Sequence, residues 1–301
     1  MKLIYAGSVK EIYQVPEKKE VEFFFTDKIS VFDKPIPSVI PHKGESLCRT
    51  AVHWFKVAEE MGIKTHFLKQ TSPQRIRVKQ VNIIKDYSQI NSRSTQYLIP
   101  CEFITRYYVA GSLFDRIKNQ DISLAEIGWE NSKKVNYGDR LPQPFFETTT
   151  KLEPVDRRID FSEAMEISGI DENTLQEIKT IILRLDDRIN KDVARRGLIH
   201  VDGKKEFGMD ENRNLMVVDV FGTADEDRFW DAERYANNEW VELSKEAVRQ
   251  YYRKIGYKDA LYEARAKGAP EPEIPPLPDE MISQVTEIYI SLYERITGEK
   301  F

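Results

Sequence analysis

A stretch near residue 200 carries the side chains best suited to chemistry in this sequence. Within Leu198–Phe221, Asp202, Lys204 and Glu206 alternate along a predicted strand. Alternate residues of a strand point to one face, so these three ionic side chains lie side by side. Residues 209–214 follow and are rich in turn formers. The stretch therefore predicts a hairpin with one charged face.

The second strand of this hairpin is apolar apart from one carboxylate, Asp219. If a tight loop pairs Asp210 with Leu215, Glu206 lies directly opposite Asp219, with both side chains on one face. Opposed carboxylates repel each other, and a divalent cation would reverse that effect. Mg²⁺ bound by one or two carboxylates and by substrate phosphates is a common arrangement. The alternative is an exposed hairpin whose charges are merely solvated.

A second informative stretch runs from Tyr97 to Ser112. Glu102 and Arg106 lie four residues apart on a predicted strand, so they share a face. Gly111 and Ser112 then lead into a predicted helix, whose first N–H groups are free to bind an anion. Arg106 beside them suits a phosphate or a carboxylate. The alternative is an ordinary joint between strand and helix with an exposed arginine.

Two further lysines lie in suitable surroundings. Lys10 follows a turn at Gly7, and a glycine turn with a lysine can cover phosphates, although an ordinary hairpin would look the same. Lys151 ends the run Phe146–Lys151, which holds three threonines. We expect this run to lie in a long loop over residues 128–156, where it contacts a ligand or forms a solvated turn.

The remaining pattern mixes short strands and amphipathic helices, as in an α+β fold. Antiparallel strands are predicted over residues 2–40, and further strands over 65–84. Apolar residues at three- and four-residue spacing predict helices over 45–61 and 171–196. A proline-rich linker at 269–278 precedes a last amphipathic helix.

Composition excludes several classes of protein. The chain has 301 residues, a formal net charge of -5 and 32% charged residues of both signs, which argues against a general nucleic-acid binder. Two cysteines without a CxxC pattern argue against a disulfide framework and against a structural zinc site. The four histidines lack metal-ligand spacing, and His200 is expected to be structural. No apolar segment reaches membrane-spanning length, so we expect a cytoplasmic protein without a membrane partner.

Eight motifs, taken together, resemble the SAICAR synthetase (phosphoribosylaminoimidazole-succinocarboxamide synthase) family. In chain order they are GSVKEIY, FTDKISVFD, KG at 43–44, PCEFITRYYVAGS, ETTTKLE, HVDGKKEFG, VVDVFGTADEDRFW and the arginine of SKEAVRQYY. The resemblance implies a two-lobed α+β fold. A kinase-like antiparallel N-terminal lobe, residues 1–99, would cover ATP. A larger α+β lobe, residues 100–301, would complete the cleft.

The resemblance also implies a reaction. ATP and Mg²⁺ would drive the joining of L-aspartate to carboxyaminoimidazole ribonucleotide (CAIR), giving SAICAR, ADP and phosphate. A carboxylate does not react with an amine at neutral pH because oxide is a very poor leaving group. Phosphorylation to an acyl phosphate supplies a good one. The protein then has to position three charged ligands and neutralise phosphate charge.

Motif by motif, the resemblance assigns roles to particular residues. For ATP it implies Lys10 at the phosphates, Leu98 at the adenine hinge, and Glu206 and Asp219 at Mg²⁺. For CAIR it implies Arg106, Ser112, Asp202, Arg228 and Arg249. Lys151 would lie near the reacting carboxylate, Lys204 near phosphate or substrate, and Asp33, Lys43 and Gly44 near aspartate. Many relatives carry a lysine where this chain has Ser8, and residues 81–96 look like an insertion, which leaves the hinge position open.

Two other functions stay open at this point. One is an ATP-dependent small-molecule kinase on a related fold, which would need no amine substrate. The other is a nucleotide-binding protein without catalysis, in which the Mg²⁺ carboxylates would be dispensable. The sequence also leaves open whether the chain forms a homo-oligomer.

Overall fold

The first sheet is antiparallel and lies in the N-terminal third of the chain. A computed structural model describes residues 1–7, 9–32, 34–130 and 132–301. The sheet has the order β1-β2-β3-β7-β6, and β4 and β5 form a separate hairpin. The strands are β1 (Lys2–Ala6), β2 (Lys10–Gln14), β3 (Glu20–Phe25), β4 (Lys28–Val31), β5 (Lys34–Val39), β6 (Phe67–Ser72) and β7 (Arg75–Lys79). The strands predicted over residues 2–40 are confirmed, whereas Asn82 makes only a single bridge to Tyr97.

The second sheet belongs to the remainder of the chain and is also antiparallel. Its order is β10-β9-β8-β11-β12, with β13 also paired to β11. The strands are β8 (Tyr97–Tyr108), β9 (Arg140–Thr150), β10 (Arg158–Ile159), β11 (Leu198–Met209), β12 (Leu215–Val218) and β13 (Asp227–Asp231). The long strands β8 and β11 lie side by side at its centre, and five residues of the predicted site stand on them: Leu98, Arg106, Asp202, Lys204 and Glu206.

Helices pack around both sheets. They are α1 (Lys43–Glu60), α2 (Gly111–Asn119), α3 (Phe161–Ser168), α4 (Glu172–Ala194), α5 (Ala232–Ala236), α6 (Glu246–Lys254), α7 (Tyr257–Ala266) and α8 (Asp279–Thr297); short 3₁₀ helices lie at Tyr87–Gln89 and Ala125–Ile127. In α4, Leu175, Ile178, Ile182, Leu185, Ile189 and Val193 are buried, as their spacing predicted. The helix packs on β11, and α1 packs on α8. Among the described residues, no helix is long and apolar enough to cross a membrane.

The register of the β11–β12 hairpin differs from the prediction by one residue. Met209 pairs with Leu215, so Glu206 lies opposite Val218 rather than opposite Asp219. The loop is one residue longer than expected, because the Asp210 carboxylate accepts hydrogen bonds from the backbone N–H groups of Asn212 and Asn214 and so holds a wider turn. Asp219 lies just beyond the strand, where the pleat no longer decides the direction of its side chain.

The predicted loop at 128–156 is wrong over residues 140–150, which form strand β9. Pro142 and Pro144 favoured a loop because proline cannot donate to a ladder. Both lie in the part of β9 that precedes Phe145, beyond the short stretch at Thr148–Thr149 that β10 covers. One side of the strand is an open edge there, and a missing N–H on that side breaks no ladder bond.

Candidate active site

Three lysines and four carboxylates form a cluster on one face of β8 and β11. Lys204 Nζ lies 2.8 Å from Glu102 Oε1, 3.2 Å from Glu206 Oε1 and 3.2 Å from Glu226 Oε2. Lys151 Nζ lies 2.6 Å from Glu206 Oε1. In the same cluster, Lys10 from the first sheet pairs with Asp219. The predicted charged face is confirmed, and it draws in a lysine from each lobe.

Neighbouring charges move the pKa values within this cluster. Burial, and then the charge of Asp219, raise the pKa of Glu206 above its usual value. Burial opposes ionisation of Asp219 too, but Lys10 and Lys151 outweigh it and hold the pKa of Asp219 below its usual range. Burial also disfavours the charged form of Lys204, yet Glu226, Glu206 and Glu102 raise its pKa. All three lysines that approach these carboxylates are positioned to meet further anions.

The backbone of Asp219 explains how its carboxylate reaches the cluster despite the shifted register. Its φ is 56°, a left-handed conformation that redirects the side chain relative to a strand. His66 Nε2 donates to the carbonyl oxygen of Asp219 at 3.1 Å. Burial lowers the pKa of His66 to about 4, so the ring is neutral and Nε2 carries its proton.

An arginine cluster lies next along the same strand face. Arg106 donates to Asp202 at 3.3 Å and to Ser112 Oγ at 3.2 Å. Arg228 donates to the same Asp202 oxygen at 2.9 Å. Glu242 lies 2.6 Å from Arg249 and 3.2 Å from Arg228, and so connects these two arginines. The five residues that the resemblance assigned to CAIR are thus brought together.

The start of α2 faces these arginines. Gly111 has φ 52°, and a Cβ there would meet the guanidinium of Arg228 at 2.8 Å. The left-handed backbone favours glycine here, and the absence of a side chain lets the Arg228 guanidinium lie directly over the first turn of the helix. Two guanidinium groups, the Ser112 hydroxyl and the first turn of α2 converge on one place, which suits a phosphate.

Several residues of the site had no predicted role. Glu102 and Glu226 complete the lysine cluster, and buried Glu147 pairs with Arg106 and Arg116. Tyr137 lies near Arg228 and Glu242, and burial raises its pKa. The sequence could have indicated a role for Glu102, since its spacing places it on the same strand face as Arg106. Nothing indicated a role for Glu147 or Tyr137, because both fall in the stretch that was predicted as a loop.

A small apolar cluster adjoins the lysines. It contains buried Leu98, Met216 and Val218, with Val81 and Leu152 packed against them. The backbone N–H of Leu98 donates to the carbonyl of Asn82 at 2.9 Å. Val218 directly precedes Asp219, so an apolar surface for a flat ring lies beside the carboxylates. This is where the resemblance placed the adenine hinge.

Lys43 and Gly44, two of the three residues predicted near aspartate, contact other residues of the protein. Lys43 is fully buried and contacts Asp225 Oδ2 at 2.7 Å. The backbone N–H of Gly44 donates to Asp27 Oδ1 at 2.8 Å, and a Cβ there would overlap the carbonyl of Phe25. Asp33 and Ser8 lie outside the described residues. The Lys43 ammonium and the Gly44 N–H therefore each have a carboxylate partner within the protein.

A second ionic cluster lies on the opposite face of β11. Lys205 contacts Asp186 of α4 and lies 3.3 Å from Asp227, which also accepts from His200 Nε2 at 2.7 Å. Asp186, His200 and Asp227 could in principle surround a cation. The ammonium of Lys205 occupies that place, so the group joins helix to sheet. This fits the structural role predicted for His200.

The donors around Glu206 and Asp219 fit Mg²⁺. Glu206 pairs with Val218, the residue before Asp219, so the two carboxylates come from neighbouring segments of backbone and repel each other. Their oxygens are the hard ligands that Mg²⁺ prefers. The surrounding lysines pair with these carboxylates and balance their charge. They would be free for phosphates when a cation takes their place.

The fold and the site define the class of two-lobed enzymes that use ATP. The SAICAR synthetase family matches residues 3–264 of the chain. The chain belongs to this family and is an ATP-dependent carbon–nitrogen ligase of purine biosynthesis.

Individual relatives agree with this assignment. Phosphoribosylaminoimidazole-succinocarboxamide synthase of Thermoplasma acidophilum is 48% identical over 301 residues, which is 100% of both chains. The Nitrosopumilus maritimus enzyme of the same name is 31% identical over 99% of each chain. A SAICAR synthetase solved in complex with ADP has 26% identity, a TM-score of 0.69 and covers 99% of this chain and 98% of its own. The SAICAR synthase of Saccharomyces cerevisiae, solved with SAICAR, shares the fold at 22% identity and TM-score 0.77, covering 100% and 96%. These matches do not favour the kinase alternative.

Proposed function

We propose that the protein joins L-aspartate to the carboxylate of CAIR, using ATP and Mg²⁺, and forms SAICAR, ADP and phosphate. The observation that carries this proposal is the order of side chains along one face of β11. Asp202, Lys204 and Glu206 stand about 7 Å apart in succession. Asp202 belongs to the arginine cluster, and Lys204 contacts the carboxylates of the lysine cluster. Glu206 belongs to the pair of carboxylates proposed to hold Mg²⁺. This order matches the phosphate of CAIR, the reacting carboxylate of CAIR and the triphosphate of ATP, placed one after another along the strand.

The nucleotide would lie with its base on the apolar cluster that includes Leu98. Its phosphates would then meet Lys10 and Lys151, which the carboxylates hold in place. Glu206 and Asp219 would hold Mg²⁺. When bound, the ion neutralises phosphate charge and fixes the orientation of the transferred group.

The ribonucleotide would lie with its phosphate on Arg106, Ser112 and the first turn of α2. Asp202 accepts from both Arg106 and Arg228 through one oxygen, holds the two guanidinium groups together and would accept from ribose hydroxyls. Arg249 joins the same side through Glu242. In this arrangement the carboxylate of CAIR would point towards Lys204 and Lys151.

The reaction then has two balanced steps. A carboxylate oxygen of CAIR attacks the γ-phosphorus, and the bond to ADP breaks. The aspartate amine attacks the resulting acyl phosphate, loses a proton, and phosphate leaves with the former carboxylate oxygen. Lys151 and Lys204 offset the charge on the transferred group in both steps, because their raised pKa values keep them protonated.

Three parts of the proposal rest on the family resemblance. Asp33, Lys43 and Gly44 are proposed to lie near aspartate, although Lys43 is buried in this structure. Residues 1–99 are proposed as the ATP-covering lobe and residues 100–301 as the second lobe; the boundary falls inside β8. The protein is proposed to act in the cytoplasm on small molecules.

An oxygen-transfer experiment tests this mechanism. CAIR labelled with ¹⁸O in its carboxylate is incubated with ATP, Mg²⁺ and aspartate, and the phosphate released is examined by mass spectrometry. We expect one ¹⁸O atom per phosphate and a product whose mass equals CAIR plus aspartate less one labelled water. Unlabelled phosphate alongside labelled product would overturn the acyl phosphate. A stable phosphorylated product would favour a kinase.

A further inference from the structure

We propose that His66 and Trp54 are positioning residues that set the direction of the Asp219 carboxylate. They would act by holding the backbone of residues 219–222, hereafter the Asp219 turn. The inference rests on the proposed role of Asp219 at Mg²⁺. Neither side chain touches a ligand in this scheme, since both act through the turn.

The Asp219 turn departs from ordinary strand geometry at both ends. Asp219 has φ 56° and Gly222 has φ 68°. A left-handed conformation is uncommon for residues other than glycine, asparagine and aspartate, so it needs support from its surroundings. At Gly222, a Cβ would overlap the indole of Trp54, so the backbone approaches that ring as closely as glycine allows.

Three buried side chains donate to or accept from this turn. His66 Nε2 donates to the Asp219 carbonyl at 3.1 Å, and Trp54 Nε1 donates to the Gly222 carbonyl at 3.0 Å. From the other side, Asp227 Oδ1 accepts from the Gly222 N–H at 2.8 Å. These side chains are between 1% and 4% exposed, so water does not readily replace them. The turn is therefore fixed by side chains from three separate parts of the chain.

The histidine itself is firmly placed. Its ring packs against Phe23 and Phe55, with centroids 5.6 Å and 5.7 Å away. Its backbone N–H donates to the carbonyl of Val217 at 3.0 Å, which ties it to β12 immediately before the turn. His66 and Trp54 both precede β8, whereas Asp219 follows β12. The first part of the chain thus directs a carboxylate of the second.

Loss of either donor removes a hydrogen bond from a carbonyl of the Asp219 turn, and the turn can make up for that loss by rotating its peptide. Such a rotation would move the Asp219 carboxylate away from Glu206. We therefore expect weaker cation binding, with the apolar adenine surface unaffected. A merely structural role would lower thermal stability without a selective loss of cation affinity.

The experiment measures Mn²⁺ binding directly, by electron paramagnetic resonance in the presence of ADP, and Mg²⁺ half-saturation of ADP release in parallel. His66→Leu removes the donor, while His66→Gln keeps an amide N–H at a similar reach. We expect His66→Leu and Trp54→Phe each to weaken Mn²⁺ binding by about five- to tenfold. His66→Gln should stay within about twofold of the wild type. The control is Tyr252→Phe, which removes one buried hydrogen bond to the Pro275 carbonyl and should leave Mn²⁺ affinity unchanged.

The inference is overturned if His66→Gln binds Mn²⁺ as weakly as His66→Leu, or if Trp54→Phe binds it as the wild type does. If His66→Leu does not fold, the other two variants decide the question. A wild-type protein that binds no Mn²⁺ with ADP would overturn the proposed metal site itself, and the inference with it. A failure confined to the variants contradicts only the positioning role.

Discussion

Glu206 and Asp219 share one cluster, yet their surroundings affect them in opposite directions. Glu206 is buried and lies near the like charge of Asp219, and both effects raise its pKa. Asp219 pairs with Lys10, and its pKa is lowered. A raised pKa means that the ionised carboxylate costs folding free energy at neutral pH, whereas a lowered one means that ionisation stabilises the fold. The two residues therefore contribute alike to function and differently to stability.

Neutral isosteres separate these contributions. We expect Glu206→Gln and Asp219→Asn each to lower kcat by about 100-fold or more, since each removes a charged ligand of the cation. Glu206→Gln should keep or raise the melting temperature, whereas Asp219→Asn should lower it. Steady-state ADP release and thermal unfolding check both expectations. Unchanged kcat in both variants would remove the metal assignment.

Arg249 tests the assignment of the ribonucleotide side. Its guanidinium contacts Glu242, which also binds Arg228, so Arg249→Ala should raise KM for CAIR about tenfold, as loss of a charge-assisted contact does. KM for ATP should change by less than about twofold. Arg253→Ala is the matched control, because Arg253 lies one turn further along α6 and pairs only with Glu246 among the ion pairs of the described residues. A raised KM for ATP with an unchanged KM for CAIR would contradict the assignment of Arg249 to the ribonucleotide side.

At the scale of elements, the sequence predicted what periodicity controls. Alternation along β11 correctly placed Asp202, Lys204 and Glu206 on one face, and the helical stripe of α4 was correct. The hairpin register was off by one, because the side chain of Asp210 decides the loop and no periodic pattern reports that. Strand β9 was missed because whether a proline is tolerated depends on which edge is open. The residues that β9 carries, Glu147 among them, were missed with it.

Glu147 joins four elements, since it accepts from Arg106 on β8 and Arg116 on α2 and lies 3.3 Å from Arg158 on β10. Burial opposes its ionisation, but the two first arginines outweigh that and lower its pKa below the usual 4.5. A lowered folded-state pKa gives stability that is present above the unfolded value and lost as pH falls through the folded value.

Glu147→Gln should therefore cost about 3 kcal/mol of unfolding free energy at pH 7, because it removes the buried negative charge that Arg106 and Arg116 share. The difference from the wild type should shrink as pH falls below about 4.5, the ordinary glutamate value. Urea unfolding at several pH values measures this. A difference that is independent of pH would show that shape, and not charge, accounts for the effect.

At the scale of the whole molecule, one buried ion pair connects the two ends of the chain. Asp225 accepts from Lys43 of α1 and, at 2.7 Å, from Tyr289 of α8. Burial lowers the pKa of Lys43, whereas Lys245 and Lys43 hold the pKa of Asp225 below its usual range. We take the pair as ionised, because Asp225 has three polar partners and Lys43 lies within hydrogen-bond distance. No pattern in the sequence links residues so far apart.

Lys43→Met distinguishes a structural lysine from one that binds aspartate. Removing one partner of a buried pair leaves the other uncompensated, and we expect a loss of about 3 kcal/mol in unfolding free energy. Urea unfolding and KM for aspartate are measured on the same preparation. A stable variant with a raised KM for aspartate would instead support the role that the family resemblance gave Lys43.

The most direct test of the whole account is ADP release with each substrate omitted in turn. We expect rapid release with ATP, Mg²⁺, CAIR and L-aspartate together, and no sustained release when either CAIR or aspartate is absent. Each ADP should be matched by one SAICAR. Release at an equal rate without aspartate, with CAIR converted to a stable phosphorylated compound, would contradict the ligase and favour a kinase.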